Sequence, residues 1–141
     1  MKLEITRSDV WAATVEDRPA GAGEKLAALA AAGANLEFVI GRRAAEQPGK
    51  GVVFVTPLKG PAQLKAGKAA GFKKADSLHS VRIEGPDKAG LGAALTTALA
   101  DAGINLSGIS AAAVGKKFVA YLAVDSIADA AKAVRVLKKL G

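Results

Sequence analysis

At 141 residues, half of them hydrophobic, the chain has apolar material for one ordinary domain or two small ones. The absence of cysteine excludes disulfides, thiolate metal sites and cysteine nucleophiles, and a single histidine leaves little for metal or general-base chemistry. The net charge of +7 invites a nucleic-acid or membrane-surface reading, but it is spread evenly, with 12 basic and 8 acidic groups in residues 1–76 and 8 and 5 in residues 77–141. It therefore reads as solubilising charge. No apolar run approaches the ~20 residues of a membrane span. Met1-Lys2-Leu3-Glu4 carries charge where a signal peptide needs an apolar stretch, so the expectation is a cytoplasmic protein with no membrane partner.

In chain order, Lys2–Ile5 is a short β-like segment and Val10–Glu16 a longer strand. Asp17-Arg18-Pro19 turns the chain into a helix carrying Leu26 and Leu29, which Gly33 ends, and Asn35–Ile40 is the next strand. After the loop Arg42–Gly51 come a strand at Val52–Thr56, a helix at Pro61–Ala70 and a short strand at Phe72–Ala75. Ser80–Glu84 is a strand with Val81 and Ile83 on one face, and Gly85-Pro86-Asp87 turns the chain, with Asp87 expected as helix N-cap. The helix that follows carries Leu91, Leu95, Ala98 and Ala102 on one stripe, flanked by Ala94 and Leu99. Gly103 ends it, and Asn105 and Leu106 open a strand through Ile109. Phe118–Val124 is β-rich, and Ser126-x-x-Asp129 resembles a capping box before a last helix, Ile127–Leu140.

The two halves repeat. With Asp17 over Asp87, an offset of 70, eight of twenty aligned positions are identical, including Asp17/Asp87, Gly33/Gly103, Asn35/Asn105 and Leu36/Leu106. Further on the offset is nearer 67, which makes the loop Arg42–Gly51 about three residues longer than its partner around Gly115. The repeat is also shifted in phase, because the chain runs out directly after the last helix. One reading is that Lys2–Ile5 completes the sheet of the second copy while Phe72–Ala75 completes the first. The other is that Lys2–Ile5 only extends its own long strand.

The run Asp87-Lys88-Ala89-Gly90-Leu91-Gly92, followed by Ala102-Gly103-Ile104-Asn105-Leu106, resembles the first half of an ACT domain. Asp17-Arg18-Pro19-Ala20-Gly21, followed by Ala32-Gly33-Ala34-Asn35-Leu36, is similar but departs at Ala20, where the family has glycine; Ala89 departs from the family's proline. The resemblance implies an α+β fold of two ferredoxin-like βαββαβ domains in tandem, residues 1–71 and 72–141, each an antiparallel sheet with helices on one face. It also implies regulatory binding of an amino acid or related carboxylate at interfaces between such domains, in a homodimer or higher homo-oligomer acting on a regulated enzyme. On that footing the second copy, Asp87 through Gly92 with Asn105, is the stronger site. The first copy, Asp17 through Gly21 with Asn35, is the weaker one.

The residue chemistry fits. A loop entering a helix N-terminus offers backbone N–H groups and a positive dipole end to a carboxylate. Gly90 lets a ligand approach the backbone, and the Asn105 amide, expected beside that loop, can read an α-amino or α-carboxylate group. The competing view is that aspartates, glycines and asparagines here only cap, turn and close strand ends. Gly90-x-Gly92 and Gly21-x-Gly23 lack the third glycine of a dinucleotide fingerprint, so no cofactor is expected. His79 has no partner arguable from sequence, and no carboxylates pair convincingly, so catalysis is not expected. Two other function classes stay open: a pairing module without ligand, and an RNA-binding ferredoxin-like domain using Phe38, Phe54, Phe118 and Tyr121. The RNA-binding class lacks its basic-aromatic strand motif. Trp11 and Tyr121 are expected to pack rather than to stack on ligand.

Overall fold

The computed structural model of the chain describes residues 2–140, and residues 76–78 by backbone alone. Ten elements alternate as β1 (Glu4–Glu16), α1 (Gly21–Ala31), β2 (Phe38–Arg43), β3 (Lys50–Thr56), α2 (Gly60–Ala69), β4 (Lys73–Pro86), α3 (Leu91–Asp101), β5 (Leu106–Val114), β6 (Lys117–Val124) and α4 (Ile127–Lys138). The expected short segments at Lys2–Ile5 and Phe72–Ala75 do not stand alone; each runs on into a long strand, β1 and β4. Their polar middles hide that continuity, because they carry no apolar alternation for a pattern to follow.

By contacts the chain divides into two compact units. The first is Asp9–Ala75, and the second joins the N-terminal residues through Ser8 to the segment from Asp76 onward. Each long strand thus begins in one unit and ends in the other.

In the first unit the strand order is β2-β3-β1, followed by the opening residues of β4. β3 lies antiparallel to both neighbours, with Trp11 opposite Val55, Val15 opposite Gly51 and Arg43 opposite Gly51. Alternate residues face the helices. Ala13, Val15, Val53 and Val55 meet Leu29 of α1, Leu58 and Phe72, and Phe72 is 1 % exposed. Trp11 packs half-buried against this core.

In the second unit the order is β5-β6-β4, with the start of β1 beside β4. Val81 lies opposite Leu122, Ile83 opposite Ala120, and Gly85 opposite Phe118. Val81, Ile83, Ala120, Leu122 and Val124 form the sheet side of the core, and Ile5 joins them from β1. From α3 the core takes Leu91, Leu95 and Leu99, spaced i, i+4 and i+8. Leu99 is fully buried rather than flanking, and Ala98 and Ala102 sit at the margin. Leucine wins the core side because it buries far more apolar surface than alanine, about 1.5–3 kcal/mol for a fully buried residue. α4 contributes Ala130 and Ala133 with Leu137, small residues that bring the helix close to the sheet. Its start is capped as expected, the Ser126 hydroxyl accepting from the Asp129 amide at 3.0 Å.

Candidate ligand-binding site

The turns that open α1 and α3 are built to one plan. In the first, the Asp17 amide donates to the Gly49 carbonyl (3.0 Å), the Gly21 amide to Arg18 (3.0 Å) and the Glu24 amide to Ala20 (2.9 Å). In the second, Asp87 donates to Lys116 (2.8 Å), Leu91 to Lys88 (3.2 Å) and Ala94 to Gly90 (2.9 Å). The residue before each helix is left-handed, Ala20 at φ 69° and Gly90 at φ 83°. This overturns the expectation that Asp17 and Asp87 are N-caps. The cap positions are Ala20 and Gly90, with no side-chain cap bond, and the aspartates instead hold the turn to the neighbouring hairpin through their amides.

The two asparagines do not join these turns. Leu106, next to Asn105, lies opposite Val124, and so does His79, near the start of β4. The Asp87 turn follows Pro86 at the other end of that strand, opposite Lys117. Seven strand residues separate the two levels, about 23 Å at 3.3 Å per residue. Asn35 stands in the same relation to Asp17, since it precedes Phe38 opposite Thr56 whereas the turn adjoins Gly51 and Lys50. The expectation that each asparagine starts a strand beside its loop is therefore corrected. Strands joined by one crossover helix run parallel, so the second starts where the first started.

The first turn borders a cleft of about 320 Å³ that sequence reading missed. Val15 and Val53 with Gly41 and Gly51 line it together with the charged Glu16, Asp17, Arg18, Arg42 and Arg43, and Ala22 of α1 marks it as reaching the helix side of the sheet. At its rim the Arg43 Nε donates to the Asp17 carboxylate at 2.8 Å, the two side chains 84 % and 35 % exposed. Arg18 folds back along α1, bonding both Glu24 oxygens at 3.0 Å and the Pro19 carbonyl at 3.1 Å. Lys50 bonds Glu16 at 2.5 Å and, by that hydrogen bond and its charge, holds the Glu16 carboxyl below the usual carboxylate range. α1 also sits tightly on β1: a Cβ at Gly21 would run into the Glu16 carbonyl oxygen.

The second turn borders a different cavity, also about 320 Å³, among Lys2, Glu4, Glu84, Pro86, Lys116 and Lys117. Glu84 takes a hydrogen bond from Arg82 at 2.9 Å and one from Lys117 at 3.3 Å, which lower its pKa. Ala89, Gly90 and Lys88 are exposed, whereas Leu91 is 3 % exposed and belongs to the core. Gly92 is half-buried, with open space where a Cβ would stand.

The aromatic side chains divide by face. Phe118 packs toward the helices. Phe54 and Tyr121 alternate onto the opposite face, each under an arginine: Arg42 lies 5.6 Å from the Phe54 ring centre and Arg82 5.8 Å from that of Tyr121. The Tyr121 hydroxyl accepts from Arg82 at 3.0 Å, and the residue is 7 % exposed. His79 is half-buried within β4. Among the described residues no group of acidic or histidine side chains could hold a metal ion, and no helix is long and apolar enough to cross a membrane.

Two βαββ halves, each finished by a strand from the far side of the repeat, define the ferredoxin-like class. The solved structures agree on that fold. The chain matches protein BT0572 from Bacteroides thetaiotaomicron over 96 % of its length and 90 % of that chain, at 18 % identity and a TM-score of 0.73. It matches the regulatory subunit of aspartate kinase from Thermus thermophilus over 99 % and 96 %, at 16 % identity and a TM-score of 0.67. Comparison with curated protein sequences finds no match. Residues 79–141 match the family model of the ACT domain. The C-terminal part of the chain thus matches the ACT domain, and the chain as a whole has two ferredoxin-like units in tandem.

Proposed function

We propose that this protein is a small-molecule sensor, binding an amino acid or a related carboxylate at the turns that open α1 and α3 and passing the signal to a separate enzyme or to its own assembly. The observation that carries the reading is the cleft beside the Asp17–Arg43 pair, where charges of both signs stand around Val15 and Val53. An α-amino acid has the complementary design, a zwitterionic head on an apolar body. The ACT match at residues 79–141 supports a regulatory role in general. Because Asn35 and Asn105 stand far from their own turns, they enter the proposal only as groups that a second copy of the chain would bring to the site.

A thermal-shift screen over the common amino acids tests the reading, since a ligand that binds only the folded state raises the melting temperature. A rise of several degrees with one chemical class is expected, and a flat panel at millimolar concentration would sink the sensor. One observation favours the pairing module as second reading. The edge strand β5 carries no charged residue from Leu106 to Val114, and Ile109 and Val114 are 52 % and 70 % exposed. Natural edges are usually blunted by charge, so an uncharged one suits strand pairing with another copy. Flat ligand responses with a concentration-dependent oligomer would select that reading.

A further inference from the structure

Counted by halves the charge of the chain is even, but on a finer scale it is not. Residues 57–75, which hold α2 and the start of β4, carry five lysines and no acidic residue. The rest of the chain has 15 basic groups against 13 acidic ones, so most of the net charge of +7 falls in this one stretch. The matching stretch of the second unit, residues 125–141, sets Asp125 and Asp129 against four cations. How α2 packs decides where the lysines stand. Gly67 brings the helix down on Leu58, Leu29 and Phe72, and a Cβ there would stand 2.9 Å from Leu58 Cδ1. At about 100° per residue, Lys65 then lies on the far side of the helix and Lys68 on its flank. Lys59 precedes the first turn, and all three are exposed, with Gly60, Pro61, Ala62 and Ala69 as small exposed neighbours. Lys74 joins them at the strand edge, paired with Asp9 at 3.3 Å, while Lys73 alternates onto the other face of β4. Elsewhere in this unit cations are answered, Arg18 by Glu24, Arg43 by Asp17 and Lys50 by Glu16. Among the described residues Lys59, Lys65 and Lys68 have no acidic side chain at ion-pair distance. The helix dipole accounts for Lys68 in the last turn but works against Lys59 at the N-terminus.

We propose that the exposed side of α2 is a docking surface for an acidic segment of a partner protein; that this partner receives the signal rests on the sensor reading above. Three lysines without counter-ions along a helix of about 15 Å present a row of positive charge, and a run of Asp and Glu side chains matches it in sign and spacing. The occupant is not a second copy. The chain is itself basic, and its adjacent acids Glu16 and Asp17 are engaged by Lys50 and Arg43. The residue types also separate a protein from other polyanions. All five cations are lysine, and Phe72, the one aromatic residue of the stretch, is buried. A nucleic-acid surface draws on arginine forks and aromatic platforms. An anionic bilayer calls for large apolar residues beside the charge, whereas α2 exposes Leu64 alone, at 37 %, among alanines.

Fluorescence anisotropy of a labelled Glu- and Asp-rich peptide, about 15 residues long so that it spans α2 even as a helix, tests this by titration with the full chain. Saturable binding is expected, weakening about tenfold as ionic strength rises from about 0.02 to 0.2 M. Lys59→Gln, Lys65→Gln and Lys68→Gln together should cut the affinity about tenfold or more. Their melting temperature should stay nearly unchanged, since all three side chains are exposed. Arg135→Gln, Lys138→Gln and Lys139→Gln remove the same charge from the end of α4 and should cost less than about threefold. Equal losses from the two triple changes would mean that net charge alone drives binding, and would overturn the proposal. Tighter binding to duplex DNA or to phosphatidylserine vesicles at the same salt would overturn it too, as would no binding of the peptide to the unaltered chain. No amino-acid ligand enters these measurements, so their failure leaves the sensor reading standing. A flat amino-acid panel would remove the partner's role as receiver of the signal and leave the docking surface.

Discussion

The two helix-opening turns share their backbone hydrogen bonds and differ in nearly everything laid over them. The first starts its helix at Ala20-Gly21, the second at Gly90-Leu91. Where Leu91 sends a side chain into the core, Gly21 sends none, and α1 instead comes down on the Glu16 backbone. Where Phe118 packs on the core of the second unit, Gly51 of the first brings no side chain, and the Arg42 carbonyl and Val15 crowd its place. The difference teaches that duplication here preserved the backbone frame while the packing laid over it diverged. The second unit has the larger buried core, and each turn borders a cleft of about 320 Å³ with a different lining.

The sharpest way to break this comparison is to ask which unit each crossing strand supports. Ile5 is 6 % exposed in the core that holds Leu91 and Leu122, and Phe72 is 1 % exposed in the core that holds Val15 and Val53. Ile5→Ala should cost about 2–5 kcal/mol and Phe72→Ala about 3–5 kcal/mol. Hydrogen exchange should localise the first loss to β4, β6 and α3, and the second to β1, β3 and α1. Each substitution therefore weakens the core of the other repeat. Faster exchange confined to the substituted residue's own repeat would show that each half of the sequence builds its own domain.

A smaller effect separates the turns themselves. A non-glycine residue in the left-handed region costs about 1–2 kcal/mol, so Ala20→Gly should stabilise the chain by about 1 kcal/mol and Gly90→Ala destabilise it by a similar amount. Denaturant midpoints measure both. Stabilisation by neither, or destabilisation by Ala20→Gly, would mean that the first turn has relaxed around its alanine and no longer shares the geometry of the second.

How far the sequence could reach is visible in these same residues. The repeat, both helix-ending glycines and the Ser126 cap were legible because each is a local rule about a few neighbouring positions. The helix starts were misread because an aspartate beside a turn signals an N-cap, whereas an αL residue three positions on had already taken that place. Asn35 and Asn105 were misplaced because closeness in a motif is not closeness across a crossover helix. The cleft could not be seen at all from composition. Gly41 and Gly51 look like ordinary strand glycines until pairing sets them on one face opposite Val53 and Val15. One signal was available: at the offset of 67, Gly51 aligns with Phe118, an exchange of the smallest residue for one of the largest.

Acid should distinguish the units more gently. Glu84 is held by Arg82 and Lys117, Glu16 by Lys50 with a weaker contribution from Arg18, and both carboxyls titrate below the usual range. A lowered folded pKa means that the pairing contributes fully above the unfolded value of about 4.3 and is lost as pH falls through the folded value. Stability should therefore decline below about pH 4, and each group should account for part of the slope. Glu84 has two cationic partners and a side chain 22 % exposed, against 54 % for Glu16, so solvent screens its pairing less. Glu84→Gln should flatten the acid limb of a urea-midpoint profile between about pH 5 and 2 more than Glu16→Gln does. Equal flattening would place the two ion pairs on the same footing, and the asymmetry between the units would then rest on packing alone.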